Sequence, residues 1–255
     1  MSKSIRLKKD RAPARPKPMK GRLIFEDGSH FDGIKIGSSN MEIGEVCFNT
    51  SMTGYQEIIT DPSYAGQIIN FTFPHIGNVG TNLEDDESRK PFAKGIIINC
   101  DISDPSNYRS ILHLDAWLKK NNVPGICNID TRLITNRIRS KGAPKGGIIE
   151  GPINNKKTAL CLKEIKKWKG LKGLDLAIDV SRKDIKIFKA KSKSNLKVVA
   201  VDYGIKQNIL NCLLNLNLEV ILVPAKTSAE KILEYNPNGV FLSNGPGDPK
   251  ATGKY

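Results

Sequence analysis

Three short apolar runs in the last sixty or so of the 255 residues restrict the fold more than any other feature of the sequence. Val198 to Val201 ends at Asp202-Tyr203-Gly204, and Leu218 to Val223 is closed by Pro224. Gly239 to Leu242 runs into Ser243-Asn244-Gly245-Pro246-Gly247-Asp248-Pro249. Between the first two runs, Ile205, Ile209, Leu210, Leu213 and Leu214 form a helical stripe. Between the second and third, Thr227-Ser228-Ala229-Glu230 reads as a capping box opening a helix to about Tyr235. The order β-α-β-α-β predicts a parallel, doubly wound sheet. Right-handed crossovers then set Asp202, Pro224 and the Asn244 loop along one carboxyl edge, where such sheets bind ligands.

The loop has its own chemistry. Gly245 and Gly247 lack a Cβ and allow a ligand close to the backbone, whereas Pro246 and Pro249 withhold their N–H groups. The amides of Gly245, Gly247 and Asp248 are left as donors for an anion or a polarised carbonyl.

The formal charge of +14 invites a nucleic-acid reading, but its location argues against one. Residues 1–20 hold eight Lys/Arg against one Asp, and residues 156–197 hold fourteen against four Asp/Glu. The remainder is slightly acidic. Little but Trp168 and Phe188 interrupts the basic connector, so base stacking has weak support and a solvated basic surface is the expectation. No apolar run approaches a membrane span, and the N-terminus has no apolar segment of a secretory signal. Cys47, Cys100, Cys127, Cys161 and Cys212 are scattered, and only His30, His75 and His113 accompany them. That pattern suits a reducing, cytoplasmic setting without a structural zinc. Cys212, within the apolar stripe, is expected to be as buried and inert as the rest.

The N-terminal part mixes strands and helices. Arg22 to Phe25 and Phe31 to Ile36 read as a hairpin through Asp27-Gly28, with further strands at Glu45 to Asn49, Ile68 to Phe73, Gly95 to Cys100 and Ile126 to Ile129. Helices are expected over 110–121 and 131–140. The division is a basic disordered tail over 1–20, a mixed β/α domain over 21–151, a basic linker over 152–196 with one helix at 157–167, and a partial doubly wound domain over 197–255.

Longer strings carry a resemblance. Ser243 to Pro249 after a strand and two βα units resembles the opening of class I glutamine amidotransferase domains. Four stretches are similar to the small subunit of carbamoyl-phosphate synthetase: Phe48-Asn49-Thr50-Ser51-Met52-Thr53-Gly54-Tyr55-Gln56-Glu57, Thr60-Asp61-Pro62-Ser63-Tyr64, Phe73-Pro74-His75-Ile76-Gly77-Asn78-Val79-Gly80 and Ile129-Asp130-Thr131-Arg132. The resemblance spans residues 21–255 and implies an α/β fold: a swivelling-type β/α domain, then the first half of a flavodoxin-like amidotransferase domain. It implies a ligase subunit that hydrolyses L-glutamine and sends ammonia to a large subunit. The large subunit makes carbamoyl phosphate, for arginine or pyrimidine synthesis, and holds the ATP and Mg. No cofactor is expected in this chain.

By resemblance the Gly245 amide faces the developing oxyanion, while Gly247 and the Ser63 hydroxyl hold the amino-acid end of glutamine. The family's nucleophile sits on a Gly-x-Cys-x-Gly-His-Gln elbow, which these residues lack, together with the base and its orienting carboxylate. No catalytic residue is therefore assigned, and the chain alone is expected to be inactive. The alternatives are a docking-only subunit, or a basic module that contacts nucleic acid without catalysis. Without further strands, Gly239 to Leu242 should be left with one unpaired apolar side.

Overall fold

The computed structural model describes residues 18–192 and 196–253. The expected basic tail lies outside the described residues as far as residue 17, and so do residues 193–195.

The N-terminal hairpin pairs β1 (Lys20–Phe25) with β2 (His30–Gly37), Ile24 opposite His30. Its turn is tied by Asp27, whose Oδ1 accepts the Ser29 N–H at 3.0 Å. There follow β3 (Glu42–Asn49), α1 (Tyr55–Thr60), a 3-10 turn at Pro62–Tyr64, β4 (Gln67–Phe71) and β5 (Gly95–Ile97). Next come α2 (Leu114–Lys120), β6 (Pro124–Cys127), α3 (Thr131–Lys141) and β7 (Lys145–Glu150). The seven strands close into a barrel in the order β1-β2-β6-β5-β4-β3-β7, parallel from β3 through β6 and antiparallel elsewhere. Closure leaves this sheet without an edge. Neighbouring residues alternate between two cores, as a period of two requires. Ile68 and Ile97 join Leu23, Val46, Ile126 and Ile148, whereas Ile69 and Ile96 pack with Ile59, Leu114 and Leu118 under the helices. α1 and β7 are absent from the sequence reading. Gly146 and Gly147 hide the strand, and α1 is too short to show a periodicity.

A long loop, residues 72–94, is strapped down by the quoted motifs. Tyr55 donates its hydroxyl to the Gly80 carbonyl at 2.6 Å, and Gln56 donates to Asn82 O and Asp86 Oδ1 at 2.6 and 2.8 Å. Thr60 Oγ1 accepts the Glu87 N–H at 2.9 Å. These bonds deliver Glu87 to the second domain.

The 152–196 stretch is more structured than its composition suggests. α4 (Asn155–Lys167) seats Cys161 and Ile165 on Ile24 and Ile149 of the barrel. α5 (Leu176–Val180) follows, and β8 (Lys186–Phe188) then pairs antiparallel with a strand of the second sheet. The sequence misses α5 and β8 because both are short and lysine breaks the alternation.

That sheet holds β9 (Lys197–Asp202), β10 (Glu219–Pro224) and β11 (Gly239–Leu242), with α6 (Gln207–Asn215) and α7 (Ala229–Leu233) as crossovers and α8 (Pro249–Thr252) after the glycine loop. The strand order is β11-β9-β10-β8, with β9, β10 and β11 parallel, which is the start of a flavodoxin-like sheet. Among the described residues β11 pairs only with β9, and Val240 and Leu242 are exposed. The capping box shifts by one residue. Ser228 Oγ accepts the Lys231 N–H at 3.3 Å, whereas Thr227 turns its hydroxyl to the Pro224 carbonyl. Cys212 is exposed, because it lies about 200° around the helix from buried Leu210. Among the described residues no helix is long and apolar enough to cross a membrane.

Candidate functional site

Reversal of strand order between β9 and β11 creates a switch point, and the loops after both strands line a hollow of about 420 Å³ there. Tyr203, Ser243, Gly245, Pro246 and Gly247 contribute to its wall. Ser243 ties the two loops together: its Oγ accepts the Tyr203 N–H at 2.9 Å. A Cβ on Gly245 would fall 2.4 Å from the Tyr203 carbonyl oxygen, so only glycine lets the loops lie this close. Gly247 has φ +80°, a conformation strained for any other residue. Among the described residues, no hydrogen bond uses the N–H of Gly245, Gly247 or Asp248.

Ser63 approaches from the barrel. Asp61 caps the 3-10 turn by accepting the Ser63 N–H at Oδ1, 2.9 Å, which fixes where the serine side chain leaves the backbone. Asn244, the residue before Gly245, donates from Nδ2 to Ser63 Oγ at 2.7 Å. The serine and the glycine loop thus meet across the domain boundary, although Ser63 does not itself line the hollow.

Two further ties hold the domains together. Lys206 Nζ lies 2.9 Å from Asp61 Oδ2, with Asp61 almost fully buried. Burial alone would lower the Lys206 pKa, but the hydrogen bond and charge of Asp61, helped by Glu87 and Tyr64, leave it raised. The second tie is a borrowed cap. Helix α6 has no side-chain cap of its own, and Glu87 of the barrel domain accepts the Gln207 N–H at its carbonyl (2.9 Å) and the Asn208 N–H at Oε2 (2.8 Å). Sequence reasoning missed Asn244, Lys206 and Glu87 as partners. Only Asp61 before Pro62 carried a local signal, that of a cap.

Among the described residues no cysteine lines the hollow. Burial pushes the thiols of Cys47 and Cys127 up to about 12 and that of Cys161 to about 11, leaving them protonated and unreactive at neutral pH.

The family model for the carbamoyl-phosphate synthase small chain, CPSase domain, matches residues 23–148, the barrel. The class-I glutamine amidotransferase model matches residues 199–255, the second sheet. The carbamoyl phosphate synthase small chain of Bradyrhizobium diazoefficiens is 50% identical over 248 residues, which is 91% of this chain and 63% of the relative. Those of Agrobacterium fabrum and Mesorhizobium japonicum are 48% and 46% identical, each over 91% of this chain and 62% of theirs. The chain belongs to the carbamoyl-phosphate synthase small-chain family. It spans 62–63% of the length of these relatives. Placed in that family, the barrel is the small-chain CPSase domain and the second sheet is part of an amidotransferase domain. A solved aminopeptidase from Aneurinibacillus sp. strain AM-1 aligns at TM-score 0.32 and 10% identity, over 89% of this chain and 56% of that one, too slight a likeness to bear on fold or function.

Proposed function

We propose that this chain is the glutamine-handling subunit of a carbamoyl-phosphate synthase and works with a large chain that consumes the ammonia. The observation that carries the reading is the Asn244–Ser63 hydrogen bond, which draws the serine of one domain to the glycine loop of the other. In this reading the Gly245 N–H stabilises the oxyanion formed when a thiolate attacks the side-chain amide of glutamine. Gly247 and Ser63 hold the carboxylate and ammonium of the substrate. Ammonia leaves, a thioester remains, and water releases glutamate. The large chain supplies the ATP and Mg sites, and carbamoyl phosphate serves arginine or pyrimidine synthesis.

The reading assigns the thiolate to none of the five cysteines, so these 255 residues by themselves turn over no glutamine. Loss of the nucleophile in triad enzymes costs about a million-fold. Mixing the purified chain with a carbamoyl-phosphate synthase large chain, followed by size exclusion and an ammonia assay, tests both halves. A stoichiometric complex with background ammonia release is expected. Glutamine-dependent ammonia release by the chain alone refutes the catalytic assignment, and failure to form a complex refutes the docking role.

A further inference from the structure

A second cleft lies on the other side of β9, between the barrel loop and the carboxyl ends of β9 and β10. Its volume is about 470 Å³, and Asp202, Gly204 and Leu222 line it together with Pro62, Glu87 and Arg89. It shares no lining residue with the hollow at the glycine loop. A wider groove of about 750 Å³ adjoins it through Arg89, Phe92, Arg182 and Lys186.

Arg182 stands where the two meet. Its backbone is fixed by strands on both sides: its N–H donates to Asp202 Oδ2 at 3.0 Å, and Ser181 Oγ accepts the Ala225 N–H at 3.0 Å. The guanidinium, by contrast, is under-used. It is 19% exposed, and its nearest carboxylate oxygen, on Asp202, is 3.8 Å from Nε. Among the described residues Nε and Nη1 are buried without a hydrogen-bond partner. A buried donor left unpaired costs about 1–3 kcal/mol, so a fixed guanidinium in this state marks a place for an acceptor.

The surroundings name the acceptor. Arg89, Lys90, Lys183 and Lys186 border the groove, and among the described residues none of them has a carboxylate partner within ion-pair distance. Asp179 and Asp184 also border the outer groove, so the cations outnumber the acids there without being alone, and the acids of the cleft itself are engaged. Glu87 caps α6, Asp86 accepts from Gln56, and Asp202 Oδ1 holds the Gly204 and Ile205 amides. Several cations converging on a forked donor suit a multiply charged oxyanion better than a single carboxylate. The volume exceeds what one inorganic anion needs, leaving room beside Phe92 and Phe188 for an organic body.

We propose that this interdomain cleft, with Arg182 at its centre, binds the phosphate or polyphosphate group of a small phosphorylated molecule. The proposal stands apart from glutamine chemistry and holds or fails without it.

Calorimetric titration of the 255-residue chain with inorganic pyrophosphate and with phosphate, at low ionic strength, tests it. Saturable one-to-one binding is expected, tighter for pyrophosphate than for phosphate. Arg182→Gln should weaken it at least tenfold. Should that variant unfold, the surface pair Lys183→Gln/Lys186→Gln provides the same test with a several-fold loss. Lys156→Gln/Lys163→Gln on α4, equally basic and remote from the cleft, should stay within twofold of wild type. Absence of saturable binding, or an equal loss in the α4 pair, overturns the proposal in favour of general attraction to a +14 chain. Displacement of pyrophosphate by polyglutamate at lower concentration overturns it in favour of an acidic protein partner.

Discussion

Lys206→Met removes an ion pair that links the two domains. The pair Lys206–Asp61 is close, 2.9 Å, but its ends differ, with Lys206 38% exposed and Asp61 8%. Removing one partner from a fully buried pair costs about 3–5 kcal/mol, whereas exposed pairs contribute about 0–1. Water reaches the ammonium, so the full buried figure does not apply. Asp61 also keeps the Ser63 N–H on its other oxygen, which cushions the loss. We therefore expect Lys206→Met to destabilise by about 2 kcal/mol, and a double-mutant cycle with Asp61→Asn to give a coupling of about 1 kcal/mol. The sign with pH follows from the raised Lys206 pKa. A raised lysine contributes stability that is complete below its unfolded value and is lost as pH climbs through the folded one. The coupling should thus be flat from pH 6 to 9 and fade only above the ordinary lysine value of 10.5. Urea unfolding of the four chains measures the cycle, and hydrogen exchange over residues 207–215 locates the damage at α6. A coupling below about 0.3 kcal/mol, or α6 protection unchanged in Lys206→Met, would refute the view that this pair docks the second domain.

Gly245→Ala forces a methyl against the Tyr203 backbone, which cannot swing aside, and should cost about 1–3 kcal/mol. Because β11 is held on one side only, hydrogen exchange should rise over 239–242 and remain unchanged in the barrel; equal change in both would count against the geometry. Lys35 is buried, with Nζ donating to the carbonyls of Ile36 and Ser38, and burial, partly countered by Glu150 and Asp115, lowers its pKa to about 8 from 10.5. Between those values the unfolded chain holds more protons at this position, so stability rises with pH. Relative to Lys35→Met, the wild type should gain up to about 3 kcal/mol from pH 8 to 10.5, and parallel denaturation profiles would contradict this.

The second sheet was legible because its signals are local. Val198 to Val201 and Leu218 to Val223 are uninterrupted apolar runs, and Gly-Pro-Gly at 245–247 punctuates the third. Barrel closure was not legible, since it depends on pairings such as Leu23 with Ile148, far apart in sequence. The candidate site divides the same way. Gly245 and Gly247 announced themselves as a turn, and Ser63 entered through its motif. Asn244 read as one more loop residue, although its amide makes the contact to Ser63. Lys206 and Glu87 are ordinary surface residue types, and only the docked domains give them partners. Lysine content concealed β8 by the same logic: Ile187 and Phe188 are too few to signal a strand until β10 lies beside them.

That last strand decides where the chain can be cut. A recombinant piece beginning at residue 197, the point at which composition changes, would discard β8 and strip β10 of its outer neighbour. The remaining three strands would then present raw margins on both flanks, β11 on one and β10 on the other, inviting fibre-like stacking between copies. A piece beginning near residue 181 would carry its own selvedge.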